Sequence, residues 1–232
     1  MDQLLDELKT YIEPQKAAFF PTFFKAFPGG YGEGDLFWGI RVPPLRLLAK
    51  KYNNLSLDEL IPLITSKIHE QRMLALFILR LKFEKSSADQ QLLIITFYLQ
   101  YLEGVNNWDL VDSSAHYLLG TWLLDKETQQ IWKLADSDNL WFQRIAVMSS
   151  FAFIKAGRFE LTLQLAEHLL NHPHDLMHKA IGWMLREIGN RDLMVEMQFL
   201  DKFYSIMPRT MLRYAIEKFP QPLRLDYLKG HR

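Results

Sequence analysis

Apolar residues recur at helical spacing along almost the whole chain, and that pattern points to an all-α fold. Leu57, Leu60, Ile61 and Ile64 form one stripe; Leu74, Phe77, Ile78 and Leu81 form the next; Leu92, Ile95, Leu99 and Leu102 form another. Strict alternation of β-branched residues is absent, and no Asn-Gly or Asp-Gly pair offers a hairpin turn. Ser56 with Glu59, and Ser87 with Gln90, have the spacing of capping boxes, in which each side chain satisfies the other residue's free backbone donor. The stripes predict helices over 2–12, 15–27, 43–52, 57–67, 69–83, 88–103, 107–124, 127–135, 138–156, 158–170, 174–190, 192–204, 208–218 and 221–228.

Short connections make successive helices antiparallel. Helix pairs recur at about the period of HEAT-like repeats, roughly 35 to 45 residues, although no residue motif repeats with them. The expected architecture is a curved α-solenoid of antiparallel helix pairs whose concave face binds. One domain spans residues 1–232 on this reading. The one break is Phe27-Pro-Gly-Gly-Tyr-Gly-Glu-Gly34, read as a loose connection. No strand precedes these glycines, so they do not fit a nucleotide-binding fingerprint.

The 232 residues are 49% hydrophobic, enough for a substantial core. Cysteine is absent, which excludes disulfides and thiolate metal sites and suits a reducing cytoplasm. The first residues lack a secretory pattern, and no run approaches the roughly 18 apolar residues of a membrane span. Cytoplasmic localisation is the expectation. Net charge is zero, which weighs against a protein that simply coats nucleic acid. The charge is uneven, however. Residues 36–52 carry Arg41, Arg46, Lys50 and Lys51 and no acid, and residues 191–232 carry eight basic against five acidic side chains.

Five residues stand out: Trp108, Asp112, Arg144, Trp183 and Arg186. Residues three or four apart on a helix share a face, so Trp108 sits over Asp112 and Trp183 over Arg186. Two indoles, an acid and two guanidinium groups suit a sugar–phosphate ligand on which positive charge develops. Each residue also has a plainer reading. Asp112 fits a solvated surface charge, the arginines fit ordinary surface cations, and tryptophans usually fill cores, as Trp122, Trp132 and Trp141 are expected to do. Asp109 is accounted for by the helix dipole. His172, His174 and His178 cluster at a helix start but lack the pattern of a zinc site.

Four segments carry a resemblance: Phe37-Trp-Gly-Ile-Arg-Val-Pro43, Trp108-Asp-Leu-Val-Asp112, Leu140-Trp-Phe-Gln-Arg144 and Lys179-Ala-Ile-Gly-Trp-Met-Leu-Arg-Glu187. Across about residues 36 to 218 the chain resembles the AlkD-type DNA alkylation repair family, the HEAT-like-repeat alkylpurine DNA glycosylases. The resemblance implies a concave, C-shaped solenoid around duplex DNA and hydrolytic release of cationic N3- and N7-alkylated purines. It implies Asp112 as the catalytic carboxylate, with Trp108 and Trp183 flanking the damaged nucleotide's deoxyribose. Arg144 and Arg186 would hold the backbone near the lesion, and Arg41 and Arg46 would touch DNA from the N-terminal segment. The chain departs from the family in placing Ala152 where a lysine is usual, with Lys155 nearby. No cofactor or metal is implied, and a monomer is expected. Two other readings remain at this point: a non-catalytic HEAT-like module that recognises DNA structure, and a protein-binding scaffold.

Overall fold

The structure, a computed structural model, describes residues 1–232, and these form two compact units, Met1–Ser114 and Ala115–Arg232. The first unit holds α1 (Asp2–Lys9), α2 (Pro14–Phe23), α3 (Val42–Lys51), α4 (Leu57–Ile64), α5 (His69–Lys85), α6 (Ala88–Gln100) and α7 (Trp108–Ser114). The second opens with a π-helical turn, His116–Gly120, and continues through α8 (Thr121–Leu123), α9 (Gln129–Ala135), α10 (Leu140–Ser149) and α11 (Phe151–Lys155). It closes with α12 (Glu160–His168), α13 (Asp175–Gly189), α14 (Leu193–Phe203), α15 (Arg209–Ala215) and α16 (Gln221–Lys229). The fold is all-α. Its one β contact is an isolated parallel bridge between Leu36 and Ile68. No helix is long and apolar enough to cross a membrane.

The ends of the helices follow local chemistry. Ser56 accepts from the backbone of Glu59 at 3.2 Å while Glu59 accepts from that of Ser56 at 2.7 Å, and Ser87 with Gln90 forms the second capping box. Prolines stand in the first turns of α2, α3 and α16, where their missing N–H costs nothing. The helix expected over 15–27 stops at Phe23, because Lys25 turns into the left-handed region at φ 49°. The helix expected over 107–124 is interrupted by the π-turn. Gly120 lies there against the backbone oxygen of Ser149 and 3.0 Å from the Cβ of Ala152 as measured from an ideal Cβ, so the second unit's own packing shapes that turn.

Each unit is organised around one long helix. In the first, α5 packs against α3, α4, α6 and α7 and buries Met73 through Leu79 on every side. A helix apolar all round belongs in a core, and each fully buried Leu or Ile contributes about 1.5–3 kcal/mol. In the second, α13 is the hub, packed against α10, α11, α12, α14 and α15. Met177, Ala180, Ile181, Met184, Leu185 and Ile188 face inward, leaving Trp183 and Arg186 half-buried on the opposite side.

The expected loose loop is tied down. Gly32 donates to Lys25 O at 3.1 Å, Asp35 to Gly32 O at 3.1 Å, Leu36 to Lys67 O at 2.9 Å, and His69 to Leu36 O at 2.9 Å. An added Cβ at Gly30 would strike Lys25 O, and one at Gly32 would lie 3.0 Å from Asn107 Nδ2. These two glycines serve close approach.

Gly182 lets α13 meet α15 at backbone range; a Cβ there would lie 2.6 Å from the Cβ of Tyr214 and would strike Met211 O. Gly182→Ala is therefore expected to destabilise by about 1–3 kcal/mol, despite the better helix propensity of alanine. Urea unfolding read by far-UV circular dichroism measures it, and an unchanged or raised midpoint contradicts the close approach.

Candidate functional site

In the first unit Trp108 and Asp112 lie on α7, one turn apart and both half-buried. Trp108 opens the helix. Its backbone N–H donates to Asn107 Oδ1 at 2.9 Å, and Asn107 O accepts the first helical bond, from Val111, at 3.1 Å. One side of the indole is covered by an aromatic stack. Phe24 stacks on it at 5.7 Å between centroids with the ring planes 28° apart, and the half-exposed Phe23 meets it edge-on at 5.9 Å. Phe24 in turn stacks on Phe37 at 5.2 Å and lies 4.8 Å from the ring of His69.

Behind these rings sits a charge network that the sequence reading missed. The first four residues of α5, His69, Glu70, Gln71 and Arg72, are all buried. His69 is 3% exposed and donates from Nδ1 to Asp35 Oδ2 at 3.3 Å and from Nε2 to Asp109 Oδ2 at 2.9 Å. Arg72, equally buried, pairs with Asp35 at 2.7 Å and donates to Ser66 O at 2.7 Å and to Asn106 Oδ1 at 2.9 Å. Asn106 returns a bond to Asp35 Oδ1 at 3.2 Å. Burial works against a charge on His69, but the charge and hydrogen bond of Asp109, with the bond to Asp35, outweigh it and hold the imidazolium up to about 9. Burial likewise pushes the Asp35 carboxyl up, yet His69 and Arg72 keep it below its ordinary value.

Asp109 is therefore more than a favourable charge at a helix N-terminus. One of its oxygens accepts from Leu110 N at 2.9 Å and the other from His69. Glu70 fixes the adjoining segment by accepting from Gly39 N at 2.7 Å and from Trp38 N and Ile40 N at 3.1 Å. Arg41 follows directly as an exposed side chain, its guanidinium forked onto Glu13 at 2.8 and 2.9 Å. Arg46, also exposed, lies 5.5 Å over the ring of Phe77.

The second unit holds Arg144, Trp183 and Arg186. Trp183 donates from its indole to Glu187 Oε1 at 3.3 Å and lies 6.2 Å from Phe151. Arg186 is paired with Glu217. Arg144 is buried, 4% exposed, and its Nη1 donates to Leu176 O in the first turn of α13 at 2.6 Å. Ala152 is buried, while Lys155 is exposed, with its ammonium 4.4 Å over Phe151 and 5.2 Å over Tyr117. Trp141 is buried as expected, whereas Trp122 and Trp132 are only half-buried, against Lys126 and His168.

The three clustered histidines form a hydrogen-bonded lock on α13. His174 Nδ1 accepts from Leu176 N at 3.1 Å as the N-cap, and His172 Nδ1 accepts from His174 N at 3.0 Å. His172 Nε2 donates to Gln143 Oε1 at 2.8 Å, and His178 Nε2 to His172 O at 2.5 Å. Burial, with the charges of His174 and His178, depresses His172, which keeps Nδ1 free to accept. Beyond the far end of α13 lies Glu196, 1% exposed on α14 and packed over Gly189; burial pushes its carboxyl up to about 8 against the pull of Arg186.

A family model described as DNA alkylation repair enzyme matches residues 4–219. A solved structure described as a predicted DNA alkylation repair enzyme from Enterococcus faecalis shares 16% identity, with 90% of this chain and 97% of that chain covered and a TM-score of 0.68. At that identity the likeness shows the fold. No curated protein matches the chain.

His69 and Glu196 both make stability fall as pH rises. Folded His69 keeps its proton to about 9 and an unfolded histidine only to about 6.5, so its contribution is whole below pH 6.5 and is lost on the way to 9. Folded Glu196 binds its proton up to about 8 against 4.5 unfolded, so its penalty grows between those values. At its limit the His69 shift corresponds to about 3 kcal/mol and the Glu196 shift to about 5 kcal/mol. The melting temperature is expected to fall steadily from pH 6 to about 9, and Glu196→Gln is expected to flatten the part below 8. A flat or rising profile in scanning calorimetry contradicts these assignments.

Proposed function

The chain belongs to the DNA alkylation repair enzyme family, and on that footing we propose that it is a monofunctional DNA glycosylase releasing cationic N3- and N7-alkylated purines from duplex DNA. The observation that carries the reading is the face of α7, where a braced indole and a half-buried carboxylate lie one turn apart.

An N3- or N7-alkylated purine already carries positive charge. When its bond to C1′ breaks, the bonding pair neutralises the base, so no general acid is needed. The sugar is left oxocarbenium-like, as in glycoside hydrolysis. Asp112 would stabilise that charge and orient the water that adds to C1′, accepting its proton and leaving an abasic site. At about 4 Å and an effective dielectric of about 20, one such charge pair is worth about 4 kcal/mol, on the order of a thousandfold in rate. That is enough for a charged leaving group and too little for a normal base, so selectivity follows from the lesion's own lability. Trp108 would add cation–π attraction to that sugar cation, and Trp183 offers a second half-buried indole within its own unit.

Arg186, Arg41 and Arg46 would contact the DNA backbone. Two of them carry carboxylate partners in the free chain, Glu217 for Arg186 and Glu13 for Arg41, so a phosphate would take the place of an acid. Arg144 also belongs to this set, but its buried bond to Leu176 O gives it a second task in holding α13.

Asp112→Asn is expected to abolish release of 3-methyladenine or 7-methylguanine from methylated duplex DNA while changing DNA affinity less than about threefold. Binding without release by the unaltered protein would favour a DNA-structure-binding module, and absence of salt-sensitive binding would favour a protein scaffold. Arg186→Ala is expected to weaken binding equally on all DNA sequences and to reduce the slope of log K against log salt by about one. A changed sequence preference would instead mean contact with base edges.

A further inference from the structure

We infer that His69 is a positioning residue: clasped between Asp35 and Asp109, it fixes the first turn of α7 and thereby the placement of Trp108 and Asp112. The inference rests on the reading of those two residues as the excision machinery. α7 has only 7 residues before the chain passes towards a π-turn. A helix that short has little rigidity of its own, so its orientation is imposed by the packing of Leu110 and Val111 and by side-chain ties.

The ties are few. Arg72 holds Asn106 just ahead of the helix, and Tyr98 bonds Ser114 at its end at 3.1 Å. Between Trp108 and Asp112, the bond from His69 to Asp109, at 2.9 Å, ties the first turn of α7 to α5. His69 reaches the indole by a second route, because its ring lies 4.8 Å from Phe24, on which Trp108 stacks. One buried ring thus meets both Asp109, next to Trp108 in the first turn of α7, and the aromatic support of the indole.

Stability alone is a poor account of such a site. Desolvating four charged groups costs about what their attraction returns, and an apolar set of similar volume often does as well. What the charged set adds is direction, since hydrogen bonds accept one geometry where apolar contacts accept several. The groups facing His69 are Asp35 from the 35–41 segment, Asp109 from α7 and Arg72 from its own helix, with the neutral rings of Phe24 and Phe37 on its faces. Two carboxylates against Arg72 alone leave one negative charge, and a protonated His69 completes the balance. Loss of that proton leaves at most one of its two bonds a donor's bond.

The test uses the full chain labelled with 5-fluorotryptophan, with the Trp108 fluorine signal assigned by Trp108→Phe. In the unaltered protein that signal is expected to titrate with a midpoint near 9, and in Asp109→Asn the midpoint is expected to drop by about one pH unit or more. At pH 7.5, Asp109→Asn and His69→Gln are expected to lower kcat for release of methylated purines by about tenfold or more, with KM within about twofold. A Trp108 signal that stays constant to pH 10 in the unaltered protein overturns the inference, as does a folded Asp109→Asn with unchanged kcat. Should the variants fail to fold, the titration of the unaltered protein decides. Absence of base release by the unaltered protein would overturn the glycosylase reading alone, leaving the fluorine titration to judge the positioning role.

Discussion

A helix that begins with four consecutive buried polar residues must find partners for its charges, and this requirement shapes the first unit. His69, Glu70, Gln71 and Arg72 start α5, whose next seven residues are wholly apolar and buried. An unpaired buried charge costs several kcal/mol, so the chain around that end is organised to supply carboxylates, amides and carbonyls. Glu70 gathers the 38–40 backbone, Arg72 and His69 bring in Asp35, and His69 reaches across to Asp109. The glycine-rich segment is ordered because its last polar residue is part of that set. The aromatic stack behind Trp108 then closes over His69, which places the proposed reacting face on top of that network.

The second unit solves a similar problem with size in place of charge. Gly182 admits α15 to the backbone of α13, and Gly189 admits the Glu196 side chain. With the inner face of α13 pressed this closely, Trp183 and Arg186 keep to the outer side, and the histidine lock and Arg144 anchor the helix at its N-terminal end. The position of an indole on such a helix thus follows from the helix's opposite face and its N-terminal end.

Much of this was legible in the sequence. Helix existence, both capping boxes and the shared face of Trp108 and Asp112 follow from spacing, because helical geometry is local. The π-turn was not legible, since it depends on Gly120 meeting Ser149, a contact 29 residues apart in the sequence. Nor was the role of Asp109: a carboxylate in a first helical turn looks complete with the helix dipole, and its true partner lies 40 residues earlier. The run His69-Glu-Gln-Arg72 was the available signal, four polar residues directly ahead of an unbroken apolar stretch. Arg144 shows the converse limit. Its charge suggested an exposed contact, whereas burial against Leu176 O is a tertiary fact that no spacing encodes.

The neutral total charge also takes on meaning from the ion pairs. A DNA-binding surface ordinarily shows its cations bare and gains affinity from counterion release. Here Arg41 and Arg186 carry internal carboxylates, Glu13 and Glu217, in place of solution ions. On the proposed function, each phosphate contact at these two sites exchanges one anion for another and returns the displaced acid to water. Such an exchange gives a smaller net gain per contact than a bare arginine would, because an existing ion pair is broken to make the new one. Weak general affinity is compatible with excision of this kind, because a charged lesion departs by its own lability once the reacting face meets it. On the proposed function, holding that face rigid would then matter more than holding the duplex tightly, and the buried charges of the first unit would serve the former.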